Sequence, residues 1–320
     1  MIRFLVRRTA QAILVLWGSS VAVFVLFFIG HGPDQVARTF AGRLATAARI
    51  AQIKHELHLD QPLYLQYSHW AWSLLQGNLG YDYYQGQPVI SSIAQGAPAT
   101  ASLVLGAAVL GISYGIFSGV VSAVRPRSLL DRSITSAALA FYSMPAFILG
   151  LALIWVFAYK LSPVTTFFPF HGYVPVTANP LQWAQHLVLP WLTLALVMSA
   201  AYTRLTRASM LEAMGEDYIR TARSKGLRER RVILRHALRA SLTPVATQAG
   251  LDIGTALGGV IIIETVFGIP GLGWTAVQAI DEQDLPLILG IVVLATAFVV
   301  LASLLVDVLY AVLDPRVRVP

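Results

Sequence analysis

The sequence predicts an all-α polytopic membrane protein with six transmembrane helices, and three observations carry that expectation. The 320 residues are 56% hydrophobic and only 12% charged, whereas soluble domains run near 45–50% apolar and about 25% charged. Five stretches of 17 to 27 residues carry no charge, 9–30, 99–124, 133–159, 187–203 and 285–306, and a sixth, 240–263, carries only Asp252. A spanning helix needs about 20 apolar residues to cross about 30 Å of hydrocarbon. The third observation is the placement of the basic residues, which alternates from loop to loop.

The first span follows a tail with Arg3, Arg7 and Arg8. It imitates a signal peptide, but no small-x-small site follows it, so an uncleaved signal anchor is expected. An extracytoplasmic insert, 31–97, comes next. Within it 43–57 and 63–76 read as short helices, and Gly77-Asn78, Gly80 and Gly86 as turns. Span two (99–124) has Gly111, Gly115 and Gly119 every fourth residue, and span five (240–263) repeats this with Gly254 and Gly258. Such small-residue faces let helices approach closely in lipid. Pro145 and Pro190 fall inside spans three and four and remove a backbone donor from each. The domain division read from this pattern is 1–30 (tail and first span), 31–97 (insert) and 98–320 (spans two to six).

Six spans place both termini on one side. Eighteen of the 23 basic residues then share that side: the N-terminal three, Arg125, Arg127 and Arg132, ten in 204–239, and Arg316 with Arg318. Only Arg38, Arg43, Arg49, Lys54 and Lys160 lie opposite. Cytoplasmic loops collect Lys and Arg, so both termini and the 204–239 loop are expected to be cytoplasmic. The formal charge of +7 is thereby accounted for without nucleic acid. There are no cysteines, which excludes thiol chemistry.

The long basic loop is the most informative segment. A short helix is expected from Glu216, with acids at its start, Arg223 and Lys225 at its end, and Gly226 as the left-handed residue that closes it. A second helix restarts near Arg228 and ends before Thr243-Pro244. On residues alone this element is either a basic face against anionic lipid or a docking knob for a cytoplasmic partner.

The stretch Tyr218-Ile-Arg-Thr-Ala-Arg-Ser-Lys-Gly226-Leu, with Arg235-His236 and Leu242-Thr-Pro244 after it, resembles the EAA loop of binding-protein-dependent ABC importers. It is more narrowly similar to the dipeptide/oligopeptide permease variant. Four further segments match in order: Leu59-Asp-Gln-Pro-Leu with Gly77-Asn-Leu-Gly80; Ser143-Met-Pro-Ala-Phe-Ile-Leu-Gly150; Glu264-Thr-Val-Phe-Gly-Ile-Pro-Gly-Leu-Gly273; and Asp307-Val-Leu-Tyr with Leu313-Asp-Pro-Arg316. Together they run from about residue 3 to 318. The general pattern would place Glu-Ala-Ala at Arg220-Thr221-Ala222, so only Ala222 and Gly226 are kept. Asp252 stands where the peptide family more often has an amide or a small residue.

The resemblance implies a type I ABC importer transmembrane-domain fold in the bacterial inner (plasma) membrane, with 98–320 as the permease core. It implies a second homologous permease subunit, cytoplasmic ABC ATPase subunits, an extracytoplasmic substrate-binding protein, surrounding membrane lipid and a peptide substrate. The chain itself would be no enzyme and would hold no cofactor or metal, ATP and Mg²⁺ residing on the partner ATPases. Consistent with that, it has no G-x-x-x-x-G-K-[ST] phosphate loop. Tyr218, Arg220, Thr221, Ala222, Arg223, Lys225, Gly226 and Leu227 would form the ATPase-coupling helix. The small Ala and Gly residues would let it enter a partner's cleft, and its basic residues would pair with acids on the rim.

Asp252, deep in span five, must face protein or water, since an unpaired carboxylate there costs about 2.5–3.5 kcal/mol. It is the candidate for the translocation path, together with Glu264. Glu264, Asp281, Glu282 and Asp284 form an acidic outer loop suited to steering a cationic peptide N-terminus or to docking a binding protein. Two alternatives remain open: the same fold carrying nickel, glutathione or another small solute, and a stand-alone carrier coupled to protons through Asp252. His55-Glu56-Leu57-His58 misses the zinc-protease spacing, which needs histidine where Leu59 stands.

Overall fold

The structure, a computed structural model, describes residues 2–29, 32–41, 46–82, 84–160, 168–169 and 171–313, without the side chains at 2–5, 29, 158, 251, 253–259 and 305–313. Arg43, Arg316 and Arg318, the side chains of Arg3 and Asp307, and the packing of Gly254 and Gly258 therefore lie outside it.

Among the described residues four unbroken helical segments are long and apolar enough to cross a membrane: Val6–Phe28, Val89–Val124, Pro180–Gly215 and Leu285–Leu304. Two bent pairs, Leu129–Ser143 with Ala146–Phe157 and Val260–Phe267 with Leu272–Glu282, bring the count to six if each is one span. The chain is an all-α membrane protein. Its elements divide between two compact units, Met1–Thr100 with Ile253–Ile261 and Pro270–Pro320, and Ala101–Asp252 with Ile262–Ile269.

In the first unit, α1 (Ile2–Phe24) opens into a π turn, Val25–Ile29. The insert folds as α2 (Pro33–Ala41), α3 (Ala47–Glu56), α4 (Leu63–Leu75) and an antiparallel ribbon, β1 (Tyr81–Asp82) with β2 (Gln87–Pro88). The helix expected over 43–57 begins at Ala47, where the Thr46 hydroxyl accepts from the Arg49 N–H at 3.3 Å. Such a cap satisfies one of the donors a helix start leaves open. Phe24, Phe28, Val36, Ala37, Phe40, Ile53 and Leu59 form one core with Leu285 and Leu289. The unit also holds the start of α5 (Val89–Val124), α12 (Leu272–Glu282) and α13 (Leu285–Leu313).

In the second unit, α6 (Leu129–Ser143) and α7 (Ala146–Leu153) meet at 106°. The sequence treats 133–159 as a single span, and Pro145 explains the break: it forces Met144 into an extended conformation (φ −92°, ψ 126°), which ends the helix before it. Pro190 does not break α8 (Pro180–Gly215), nor does Pro244 break α11 (Leu238–Phe267). The expected helix stop before Thr243 is therefore corrected. The basic loop is likewise shorter than 204–239, because α8 carries on to Gly215.

The glycine stripe on α5 seats α8. A Cβ on Gly119 would lie 2.6 Å from the Thr206 Cβ, and one on Gly111 3.1 Å from the Met198 Cβ. Between them Ser118 and Thr203 share a 2.7 Å hydrogen bond. Small residues here serve helix packing inside one chain.

Candidate functional site

The knob between α8 and α11 is α9 (Asp217–Ser224), followed by the single turn α10 (Glu229–Arg231) and a π segment, Val232–Ala237. Asp217 lies in its first turn and Arg223 in its last, in the sense that favours the helix dipole. Gly226 closes it with φ +72°. Its N–H donates to the Arg223 carbonyl (2.9 Å) and the Leu227 N–H to the Ala222 carbonyl (3.4 Å). This two-bond closure requires a left-handed residue. A Cβ on Gly226 would meet nothing within 4 Å, so backbone conformation, not space, selects glycine.

Ile219 and Ala222 are buried, three residues apart on one helix face. With Leu227 they sit on a cluster made of Ala123 from α5, Met210 and Ala213 from α8, and Val232 and Ala237. Ala222 was expected at a partner's cleft; the structure turns it inward, as the small residue beneath which α8 passes. The outward face is Tyr218, Arg220, Thr221, Arg223 and Lys225. Two of these cations are already engaged within the chain: Arg223 forks onto Glu229 at 2.7 and 3.2 Å, and Arg220 reaches Asp217 at 3.4 Å. The Arg223 guanidinium holds the Glu229 carboxyl below the usual range. Burial, with Glu216 nearby, raises the Tyr218 phenol.

Directly behind this foot lies a buried ion pair that sequence reasoning missed. Arg207 of α8 donates from Nε and Nη2 to the two carboxylate oxygens of Asp131 on α6, at 2.7 and 2.8 Å. Ser122 of α5 donates to the same carboxylate, and the Arg127 N–H adds a fourth bond at 2.8 Å. Asp131 is 3% exposed. Three helices are thus tied at one carboxylate whose lone pairs are largely satisfied, the condition under which a buried pair holds its place. One signal was present in the sequence: Ser128-Leu-Leu-Asp131 has helix-start spacing, and Asp131 is the lone acid in a basic turn.

The two path candidates sit differently. The Asp252 carboxylate accepts from the Tyr202 hydroxyl of α8 (2.7 Å) and from Gln248 Nε2 (2.8 Å), so a span-four hydroxyl helps to satisfy it. Glu264 is not in a loop: it lies in the last turn of α11 and is fully buried. The loop read over 264–284 is largely α12, and Asp284 too is buried, at 2% exposure. Its Oδ1 accepts from the Leu287 N–H at 3.0 Å. Burial, and the neighbouring Asp82 carboxylate, push Asp284 up to about 6. Glu264 and Asp284 are therefore not part of an open acidic surface, whereas Asp281 is exposed and Glu282 half-buried at the end of α12. The His58 and His69 rings lie 4.4 Å apart, tilted by 33°, and no metal-holding group of His, Cys, Asp and Glu occurs among the described residues.

Two family models match this chain. Residues 1–104 match the N-terminal part of binding-protein-dependent transport system membrane components, and residues 111–319 match the binding-protein-dependent transport system inner membrane component. The chain belongs to this family. It is 36% identical over 338 residues to the dipeptide transport system permease protein DppB of Escherichia coli K12, covering 99% of each chain. It is 39% identical over 318 residues to a putative peptide transport system permease protein of Brucella abortus, again 99% of each. A probable peptide ABC transporter permease protein of Sinorhizobium fredii is 36% identical over 315 residues, 98% of this chain and 99% of that one. This inner membrane component is accordingly a multi-pass permease subunit of an ABC importer with the type I importer fold, and not an enzyme. Membership sets aside the stand-alone proton-coupled carrier.

Proposed function

We propose that this permease takes up peptides by alternating access, paired with a second permease, fed by an extracytoplasmic binding protein and driven by cytoplasmic ATPases through α9. The names of the relatives support the peptide cargo. The basic residues on the α9 side support the orientation, with both termini and the knob in the cytoplasm.

The observation that carries the coupling role is the two-faced construction of α9. Its inner face is a dry foot, Ile219 and Ala222, on α5 and α8. Its outer face presents Tyr218, Arg220, Thr221 and Lys225. A push on the outer face is delivered to α8 at Met210 and Ala213, one turn from Arg207. The Asp131 knot then carries it to α5 and α6, so three helices move as one body. Within that scheme Asp252 and Tyr202 lie farther along α11 and α8, and Asp252 is proposed to border the path.

The test is ATP-driven uptake in proteoliposomes holding both permeases, the ATPases and the binding protein. Labelled dipeptide should accumulate only with ATP and binding protein present, and an uncoupler should leave uptake unchanged. Uptake without the ATPase subunits, or its loss on adding the uncoupler, contradicts the proposal. Nickel or glutathione accumulating where dipeptide does not would reject the peptide cargo alone.

A further inference from the structure

Helix α4 of the insert has two unlike faces. Tyr67 and Trp70 turn inward: Tyr67 shares a 2.8 Å hydrogen bond with Ser20 of α1, and Trp70 lies 5.7 Å from the Phe24 ring and 6.1 Å from Phe28. The opposite face carries Tyr64 at 71% exposure, Leu65 at 36%, Trp72 at 62% and Leu75 at 81%. With Ser68 they fill an arc of about 100° at 100° per residue. The whole helix, LYLQYSHWAWSLL, contains no Asp, Glu, Lys or Arg. Its neighbour α3 in the same insert exposes Arg49 and Glu56 and pairs them at 3.8 Å, as a water-facing helix does.

Contact with α1 fixes the level at which this uncharged face sits. The first candidate span runs Val6–Phe28, and α4 meets it at Ser20, Phe24 and Phe28, its last turns. Ser20 is about 12 Å below Phe28 at 1.5 Å per residue. A helix held at the end of a span, with Trp and Tyr outward and no charges, has the composition of the belt at the hydrocarbon boundary. Tyr64, Trp72 and Leu75 form a continuous apolar strip of the kind that marks an interaction surface.

We propose that α4 is an interfacial anchor: its Tyr64–Trp72–Leu75 face lies in the boundary between headgroups and acyl chains of the bilayer leaflet at the Phe28 end of span one. The insert is then held down on the membrane by lipid, and α3 faces water above it. The occupant is the lipid surface, not a protein, because the face carries Trp, Tyr and Leu, the helix has no Asp, Glu, Lys or Arg, and it is held at the end of a span.

The absence of native cysteines makes the test direct. Single variants Tyr64→Cys, Trp72→Cys and Leu75→Cys, with Gln52→Cys on α3 as the water reference, are spin-labelled in the assembled transporter in lipid nanodiscs. Collision with oxygen, which concentrates in lipid, is compared with collision with a water-soluble nickel chelate. The oxygen-to-nickel ratio should be several-fold higher at 64, 72 and 75 than at 52. Nickel access equal to that at 52 would place the face in water. Shielding from both reagents would place a protein partner on it. Either result overturns the proposal. If Trp72→Cys fails to assemble, positions 64 and 75 carry the same test, since their side chains point away from the α1 contact.

Discussion

Two arginine–carboxylate forks in this chain have the same chemistry and opposite surroundings. Arg207–Asp131 and Arg223–Glu229 both close at 2.7 Å. The Asp131 side chain is 4% exposed and also bonds Ser122 and the Arg127 backbone, whereas the Glu229 side chain is 54% exposed. Distance alone therefore does not say what an ion pair does. The buried fork ties three helices and cannot be broken without leaving a charge uncompensated; the exposed one trims the surface of the knob. In the proposed coupling scheme the first belongs to the body that would move, the second to the face on which a motor would press.

The largest expected effect follows from breaking the buried fork. Asp131→Ala strands the Arg207 guanidinium, whose side chain is 29% exposed, so the loss should lie below the cost of a fully buried orphan, at about 1–3 kcal/mol. Thermal unfolding of the detergent-solubilised complex should shift down accordingly. Asp131→Asn, which keeps the Ser122 and backbone partners in part, should lose less stability. It should nevertheless raise the ATP hydrolysed per peptide transported, because the three helices no longer move together; an unchanged ratio would leave the fork a purely static brace.

Next comes Gly226→Val. The left-handed backbone costs a β-branched residue about 1–3 kcal/mol, and the end of α9 should re-form. Membrane insertion should remain normal while binding-protein-stimulated ATPase activity is lost. Stimulated activity at the normal level would show that the closure of α9 does not matter to coupling.

Asp284 gives a pH-dependent comparison of the same kind. Its folded-state pKa is raised to about 6, so the folded protein holds this proton where the unfolded chain, near 3.8, has lost it. The stability it contributes is complete below about 4 and is lost as pH rises through about 6. Folding stability should therefore fall as pH rises from about 4 to 6, by at most about 3 kcal/mol, read as a lower melting temperature, and Asp284→Asn should flatten that slope. A slope unchanged in the variant would assign it to other groups.

The smallest effect belongs to the exposed fork. Arg223→Gln should change stability by less than about 1 kcal/mol, as exposed pairs do, and that difference should shrink further in high salt.

Much of this architecture can be read from the sequence, because lipid leaves few choices. A run of 20 uncharged residues must be helical, and the alternation of basic loops orders the runs. Gly226 was legible as the end of α9, and the α5 stripe at Gly111, Gly115 and Gly119 as a packing face. The prolines show where local rules stop: Pro145 breaks its span, while Pro190 and Pro244 are absorbed, and only neighbouring packing distinguishes them. The extension of α8 to Gly215 escaped because its charges read as a loop. Asp131 and Arg207 are 76 residues apart, and Glu264, which reads as a solvated loop acid, is buried in the last turn of α11. Pairings and burial of that kind depend on which helices are neighbours, which composition does not encode.

The central claim is that α9 is where a motor grips. It is tested most directly by disulfide or short-linker cross-linking from Tyr218→Cys and Lys225→Cys to single cysteines placed on the ATPase subunit in the assembled transporter. Ala222→Cys, on the inner face, is the control. Cross-links from 218 and 225 that change with ATP, and none from 222, are the expected result. A transporter that turns over ATP and moves peptide while 218 and 225 never come within reach of the ATPase would contradict it.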